Sequence, residues 1–380
     1  MIQVRTVTTQ QSTRALMPDY LRLIALFGIV VVNVQYMAFS ALQDLAEPVV
    51  SSFADAVTLF LVHGLAVLKT YGLFSFMFGV GLGFLMRASQ RRGLSFGKVY
   101  RNRMIGLLLL GLAHGLLFFP GDILVIYAVT GSILYLFRDW AVPRLVRVGA
   151  ILLIVQAIII PALLFLPDET PAAFREFERL ALVDGSFVDA ATFRSIGFAV
   201  TVPVFVVFQG VSALGWFCLG LAAVKSGMID NADHPLWRRA RHICLLPGLA
   251  LSLLGAAIWQ WGAALPGAAL TMSIAPLATL GYLGGIAAIA RPTGPFMARV
   301  LRAGGSSLSI YLGQSIVLTT IFSGYGFGLW EAVDRVTATL IAIAVTVALI
   351  ALLSLWRLWF RQGPFEMVLR RITYAGTGGC

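Results

Sequence analysis

Two ionisable side chains, His114 and Asp122, stand in a stretch of sequence that is otherwise strongly apolar. The stretch runs from Arg101 to Arg138 and predicts two membrane-crossing helices joined by a tight Phe-Pro-Gly-Asp turn. Ionisable groups are costly inside a membrane, so by default they mark a candidate working site. A histidine oriented by a carboxylate can serve as a base or a nucleophile. We therefore predict that His114 and Asp122 are the catalytic residues.

Helical rise gives the depth of these two residues. His114 follows Arg103 by eleven residues, which is about 16 Å along a helix and past the middle of a membrane. Only sixteen residues separate Asp122 from Arg138, and this length, about 24 Å, is shorter than a hydrocarbon core of about 30 Å. We expect the turn to lie below the membrane surface, in protein or a water-filled pocket. Two other interpretations stay open: Asp122 as a helix N-cap only, and His114 as a proton relay or a structural residue.

Polar residues also interrupt the first apolar run and a late one. Asp19 and Arg22 share a helix face, with Asn33 about 16 Å further along the first run. The late run beginning at Ser306 is polar for a membrane helix. We predict that these residues line a substrate cavity: Asp19, Arg22, Asn33, Ser309, Tyr311, Gln314 and Ser315. The alternative is structural, with an anchored helix start and hydrogen bonds between helices.

A basic loop follows a glycine-rich run that contains Gly72, Gly79, Gly81 and Gly83. Small residues at this spacing favour close helix packing, and the alternative is a thin wall beside a ligand channel. The loop is either a topology signal or a site for an anionic donor or lipid headgroup. The site interpretation assigns this role to Arg87, Arg91, Arg92, Arg101 and Arg103.

Composition excludes a soluble protein. The 380 residues are 59% hydrophobic and only 12% charged, and their mean hydropathy is +0.89, whereas soluble domains carry about 25% charged residues. The net charge of +11 is therefore attributed to basic loops on the cytoplasmic side, and no nucleic-acid partner is expected. The three cysteines show no metal-ligand spacing and no phosphate loop is present, so we predict no metal and no tightly bound cofactor.

Apolar runs of about 20 residues predict an all-α, polytopic membrane bundle of about ten transmembrane helices. The segment Ala54–Leu68, which contains His63, is predicted to be an additional re-entrant or interfacial helix. The predicted spans are Leu21–Phe39, Thr70–Met86, Met104–Phe119, Ile123–Phe137, Val148–Leu166, Phe198–Val224, Ile243–Trp261, Leu270–Ala290, Ser306–Phe322 and Val336–Trp356.

This arrangement places 23 of the 28 Lys and Arg residues on one side of the membrane. The positive-inside rule makes that side cytoplasmic, together with both termini. The whole chain is then one transmembrane domain. It includes a cytoplasmic tail at 1–18, an extracytoplasmic loop at 167–195 and an amphipathic cytoplasmic tail at 357–380. In the loop, Phe174, Phe177 and Leu180 are expected on one face of a short helix. In the tail, Phe365, Val368 and Leu369 are expected to face lipid.

Several motifs together resemble one protein family. They are D-x-x-R with a buried Asn, L-F-S-F-M-F-G-x-G-x-G, G-x-x-H-G followed by G-D-I-L-x-x-Y, and a closing Y-L-x-Q-S…F-x-x-G-P-x-E-x-x-x-R. In this order the chain resembles the YeiB family of bacterial inner-membrane proteins. The matching positions are Asp19, Arg22, Asn33, His114, Asp122, Tyr127, Gln314, Ser315, Gly363, Pro364 and Glu366, and the resemblance adds Tyr127 to the predicted cavity.

The first span is also similar to that of the wider transmembrane acyltransferase group. This likeness implies a cytoplasmic acyl-CoA donor and an extracytoplasmic glycan or lipid acceptor. Two departures matter: Leu23 replaces the usual glycine, and Asn33 replaces a histidine of the polysaccharide acyltransferases. The leading hypothesis is an acyltransferase-like protein of the bacterial inner membrane. Its expected partners are membrane lipids, and formation of a homo-oligomer is left as an option. The alternatives are a secondary transporter or lipid translocator, and a non-catalytic assembly partner.

Overall fold

The computed structural model describes residues 16–40, 50–165 and 172–377, and all regular structure in these ranges is helical. Most of the predicted N-terminal tail, and Cys380, lie outside the described residues. The helices are α1 (Met17–Asn33), α2 (Gln35–Ala38), α3 (Phe53–Leu65), α4 (Lys69–Arg91), α5 (Phe96–Leu117), α6 (Leu124–Leu136), α7 (Val142–Leu163), α8 (Ala172–Arg179), α9 (Phe187–Lys225), α10 (Pro235–Ala240), α11 (Leu246–Trp261), α12 (Ala264–Ile289), α13 (Pro295–Gly304), α14 (Ser307–Phe322), α15 (Arg335–Trp356) and α16 (Pro364–Tyr374).

Local sequence signals fix several helix starts. The Ser186 hydroxyl and the Asp189 carboxylate form a reciprocal capping box at the start of α9. The Asp334 carboxylate accepts a hydrogen bond from the backbone N–H of Thr337, 2.7 Å away, and so caps α15. Pro364 begins α16, where its missing N–H costs nothing.

Seven helical runs in the described ranges are long and apolar enough to cross a membrane. An eighth is reached if α13 and α14, which meet at a bend of 74°, are counted as one broken span. The ten predicted spans all overlap helices, but α5 opens with a polar turn containing Lys98, Arg101 and Arg103, and α6 has only 13 residues. An apolar, all-helical architecture with about seven candidate spans is therefore found, and the predicted count of ten is not confirmed.

A separate helix, α3 (Phe53–Leu65), lies close to the segment Ala54–Leu68 that was predicted to form one. Helix α3 leads across a short break into α4, and together they form one apolar run of 39 residues, Phe53–Arg91. The break contains Leu68 with a φ of 59°, in the left-handed region. Helix α3 packs against α11 and buries the side chains of Leu59 and Val62, so it belongs to the bundle and does not lie on its surface.

The centre of the bundle is α9, which packs against α4, α5, α6 and α7. Both interpretations of the glycine-rich run apply, at different residues. A Cβ at Gly79 would clash with the carbonyl oxygen of Phe217 in α9, and one at Gly83 would lie 2.7 Å from Val224, so these two glycines permit close packing. A Cβ at Gly81 would meet nothing within 4 Å, because Gly81 lines a cavity.

The two helices predicted to be amphipathic agree with the structure to different extents. In α8, Phe174 and Phe177 pack on Phe193 as expected, whereas Leu180 is exposed. In α16, Leu369 is buried and packs near Gly106 of α5, so it faces protein and not lipid. Helix α16 is therefore one wall of the bundle.

Candidate functional site

The α5–α6 hairpin holds His114 and Asp122 against each other. Its close approach depends on Gly111, where a Cβ would lie 2.8 Å from both an Asp122 carboxylate oxygen and the backbone nitrogen of Val125. Any side chain at this position would push the two helices apart. The turn is tightened where the backbone N–H groups of Phe118 and Phe119 both donate to the carbonyl of His114.

His114 and Asp122 lie in direct contact. The Nδ1 atom of His114 lies 2.7 Å from Oδ2 of Asp122, and the two residues are 3% and 0% exposed. The other carboxylate oxygen, Oδ1, accepts a hydrogen bond of 3.0 Å from the backbone N–H of Val125. Asp122 is thus a helix cap and a histidine partner at once, with one oxygen for each role.

The second ring nitrogen of His114 has no hydrogen-bond partner. The Nε2 atom is buried, and within residues 16–40, 50–165 and 172–377 nothing donates to it or accepts from it. A carboxylate opposite Nδ1 favours the tautomer with the proton on Nδ1, which leaves the Nε2 lone pair free. Buried polar atoms are normally satisfied, so an unpaired one calls for an explanation, and catalysis is one such explanation.

Tyr311 of α14 covers this pair. Its ring centroid is 5.2 Å from that of His114, and its hydroxyl accepts a hydrogen bond of 3.4 Å from the backbone N–H of Ile123. On the other side, Arg194 of α9 donates to the carbonyl of Leu117 at 3.2 Å and to the Ser323 hydroxyl at 2.6 Å. Arg194 so satisfies a carbonyl at the C-terminal end of α5 and closes the hairpin.

A cavity of about 450 Å³ reaches from the arginine-rich end of its lining to Tyr311 and Ile123, but His114 and Asp122 themselves do not line it. Tyr311 and Ile123 form part of its lining, so the side chain that packs on His114 also faces the cavity. Among the described residues, its charged lining consists of one carboxylate and five guanidinium groups: Glu366, Arg22, Arg103, Arg357, Arg361 and Arg370.

Four of the residues predicted for the site line this cavity: Arg22, Arg103, Tyr127 and Tyr311. The Tyr127 hydroxyl is hydrogen-bonded to that of Ser75 at 2.8 Å. Arg22 contacts the buried carboxylate of Asp19 at 3.3 Å, which orients its guanidinium group. Asp19 does not line the cavity itself, but it orients the Arg22 side chain that does.

The other polar residues predicted to line the cavity make structural contacts or none. Gln314 donates to the Thr346 hydroxyl at 2.8 Å, which joins α14 to α15. Ser309 donates to Glu366 at 2.5 Å, and Ser315 is buried away from the cavity. Asn33 ends α1 and is half-buried, and its side chain makes no hydrogen bond to any described residue, so the expected side-chain partners are not found in the described ranges.

The five arginines that were predicted to form one basic site do not lie together in the structure. Arg87 donates to Asp230 at 2.8 Å, and Arg91 donates to the carbonyl of Arg87. The Arg92 guanidinium stacks over the Tyr374 ring at 5.5 Å. Arg101 lines a lateral apolar groove, and of the five predicted arginines only Arg103 lines the cavity.

Sequence reasoning missed Arg357, Arg361 and Arg370 as site residues, because they were grouped with a basic cluster that explains topology. The signal that could have found them is the closing motif, which ends in G-P-x-E-x-x-x-R and surrounds Glu366. As for metals, the part of the chain that the structure describes contains no group of three or more His, Cys, Asp or Glu side chains that could hold an ion.

Comparison with known proteins gives the family. Residues 223–376 match a family model described as "Protein of unknown function (DUF418)". The chain is 29% identical over 390 residues to "Uncharacterized protein YxaH" of Bacillus subtilis (strain 168), which covers 94% of this chain and 93% of that protein. It is 27% identical over 386 residues to "Uncharacterized protein YeiB" of Escherichia coli (strain K12), with 95% and 96% covered. The chain is therefore similar to these YeiB-like proteins over nearly its whole length.

The resemblance seen in the motifs is thereby confirmed over nearly the whole chain. The family model covers α13 to α16, which contribute Arg357, Arg361, Glu366 and Arg370 to the cavity. No solved structure matches the chain significantly. These relatives carry no named reaction, so the chemistry must be argued from the site.

Proposed function

We propose that this protein is an acyltransferase-like enzyme of the bacterial inner membrane. It moves an acyl group from a cytoplasmic acyl-CoA to a hydroxyl or amino group of an extracytoplasmic glycan or lipid. The observation that carries the proposal is the buried His114–Asp122 pair, whose Nδ1 and Oδ2 atoms are 2.7 Å apart and whose Nε2 has no partner among the described residues. Tyr311, which packs on His114, lines an arginine-rich cavity.

Each group has a role in the proposed transfer. Asp122 holds His114 in the tautomer with a free Nε2 lone pair. Nε2 removes the proton from the acceptor hydroxyl, whose oxygen attacks the thioester carbonyl. The carbon–sulfur bond then breaks, and the departing thiolate of coenzyme A takes the proton back from His114. Atoms and charges balance, and neither metal nor redox cofactor is required.

The orientation of the bundle supports the same direction of transfer. The proposed topology has ten membrane crossings with both termini in the cytoplasm, as the distribution of basic residues indicates. In this topology Arg357, Arg361 and Arg370 face the cytoplasm, where a soluble donor is found. The short hairpin carries His114 and Asp122 toward the other side, where the acceptor is.

The test uses purified protein in lipid vesicles with radiolabelled acetyl-CoA supplied at the cytoplasmic face. We expect label to appear in lipid, in a supplied glycan or on the protein, and to be absent with His114→Ala. His242→Ala is the matched control, because His242 is exposed and does not line the cavity. Transfer that continues at full rate in His114→Ala overturns the proposal.

A second candidate, a secondary transporter, is favoured by one observation. The cavity carries the positive charge expected for a site that binds an anionic cargo. Under this hypothesis, uptake of a labelled anion into vesicles proceeds without an acyl donor and is lost with Asp122→Asn. Under the enzyme hypothesis, the same vesicles accumulate no anion.

A further inference from the structure

The charge of the cavity is unbalanced in favour of anions. Its five arginines come from distant parts of the sequence: Arg22 from α1, Arg103 from α5, Arg357 and Arg361 from the end of α15 and the loop beyond it, and Arg370 from α16. Glu366 is the one acidic residue that faces them among the described lining residues.

The Glu366 carboxylate is already engaged elsewhere. Its Oε1 atom accepts hydrogen bonds from the backbone N–H groups of Leu308 at 2.7 Å and Ser309 at 3.1 Å. Its Oε2 atom accepts a hydrogen bond of 2.5 Å from the Ser309 hydroxyl. The carboxylate therefore compensates the positive end of the α14 dipole. Arg22 is paired with Asp19, and the charge of the remaining cavity lining is still positive.

Arg103 is the clearest example of a cavity guanidinium group that an anionic ligand would stabilise. It is half-buried in the cavity wall, yet it makes no hydrogen bond and no ion pair with any residue in the described ranges. A partly buried guanidinium with five unpaired donors is costly unless an anion accepts from it. Guanidinium groups bind phosphate in a bidentate manner, which makes phosphate a well-matched partner.

The inner part of the cavity has a different character. Phe74, Met77, Phe78, Leu107 and Leu124 make this part apolar up to Tyr311. A volume of about 450 Å³ lies in the range of organic ligand sites, about 300–1,000 Å³, and exceeds what an inorganic ion requires. The full shape thus matches a ligand with an anionic head and an apolar chain.

We propose that the cavity binds a phosphate-bearing amphiphile, with its phosphate on Arg103, Arg361 and Arg370 and its apolar chain directed toward Tyr311. Two sources have this chemistry: a soluble coenzyme A ester and the headgroup of an anionic phospholipid. The inference deepens the proposed function, since it names the residues that hold the donor. It concerns binding alone, so it can be tested without transfer.

The experiment measures binding of radiolabelled palmitoyl-CoA to the full chain in phosphatidylcholine nanodiscs. We expect Arg103→Gln to weaken binding by about tenfold or more, as loss of a charge-assisted hydrogen bond does. Arg299→Gln is the matched control, because Arg299 carries the same charge, is exposed and does not line the cavity. Arg370→Gln, an exposed position less sensitive to folding, provides a second variant with the same expected direction.

A second set of nanodiscs that contain phosphatidylglycerol separates the two sources. If the lipid headgroup is the ligand, phosphatidylglycerol displaces palmitoyl-CoA from the wild type and co-purifies with it, but not with Arg103→Gln. If the coenzyme A ester is the ligand, phosphatidylglycerol leaves its binding unchanged. Both results support the site.

Equal binding by the wild type, Arg103→Gln and Arg370→Gln overturns the inference, as does equal weakening by Arg299→Gln. Absence of both ligands from the wild type also overturns it. The variant His114→Ala keeps the two proposals apart, because it should bind palmitoyl-CoA normally while transferring nothing. If the wild type binds palmitoyl-CoA normally but transfers no acyl group, the proposed reaction is refuted and the proposed binding site is retained.

Discussion

The tautomer of His114 depends on Asp122, and the substitution Asp122→Asn tests this dependence. Nδ1 lies 2.7 Å from a carboxylate oxygen, which can only accept, so Nδ1 carries the proton. In Asp122→Asn the amide oxygen can still accept from the backbone N–H of Val125, now 3.0 Å from Oδ1. The amide NH₂ group then faces Nδ1 and donates. The imidazole proton must therefore move to Nε2, and the proposed base is lost.

The magnitudes separate this effect from unfolding. A hydrogen bond to a charged group contributes about 1.5–3 kcal/mol and a neutral one about 0.5–1.5 kcal/mol. We expect Asp122→Asn to lower the free energy of unfolding by about 1 kcal/mol. Asp122→Ala also removes the cap on α6, and the expected loss is about 3 kcal/mol.

The assay is nitrogen NMR of protein labelled only in histidine, since the sequence contains four histidines. The His114 signals are assigned by their disappearance in His114→Gln. The wild type should show protonated Nδ1 and unprotonated Nε2, and Asp122→Asn the reverse with acyl transfer abolished. An unchanged tautomer in Asp122→Asn would refute the reasoning, as would a protonated Nε2 in the wild type.

Three further predictions concern packing, the C-terminal helix and pH. Gly79→Ala should lower the free energy of unfolding by about 1–3 kcal/mol, because its Cβ overpacks the contact with α9. The control Gly81→Ala should unfold at the same temperature as the wild type, and both variants are compared by thermal unfolding in detergent. Glu366→Ala should release α16 from α14, since it removes three hydrogen bonds, and amide exchange over 364–374 should rise; exchange equal to the wild type would contradict this. Hydrogen bonds from Thr337 lower the pKa of Asp334, so this group stabilises the fold above its unfolded pKa and ceases to do so as pH falls through its folded value. Asp334→Ala should therefore destabilise at pH 7 but not below about pH 3, compared by thermal unfolding at both pH values.

The contact between His114 and Asp122 is encoded locally in the sequence. His114 and Asp122 are eight residues apart across a turn marked by Pro120 and Gly121. A tight turn between two antiparallel helices brings such positions together whatever the rest of the bundle does. The Gly111 contact then follows, since only glycine permits this approach.

The cavity could not be predicted from the sequence because its arginines come from elements hundreds of residues apart. Arg101 and Arg103 look equivalent in the sequence, yet they are two positions apart on α5 and so face different sides of the helix. Arg103 points to the cavity and Arg101 to the lateral groove. The side each arginine faces depends on how α5 is rotated in the bundle, and this is a tertiary property.

The predicted count of ten spans is not confirmed for a related reason. Hydropathy identifies apolar runs, but it treats α5 and α6 as full spans although one begins with charged residues and the other is only 13 residues long. It also separates α3 from α4, because His63 and Lys69 interrupt the apolar run. In the structure Lys69 is buried and donates to the carbonyl of His63 at 2.8 Å, so the interruption is satisfied within the helix.

The position of α16 has a consequence for biogenesis. This helix supplies Glu366 and Arg370 to the cavity and packs against α5, but it is translated after all the other described helices. A nascent chain that has inserted α1 to α15 therefore lacks one wall of its ligand site. A stop codon placed before residue 364 should yield a protein that reaches the membrane and binds no ligand, so insertion and acquisition of the binding site are separate events in the synthesis of this chain.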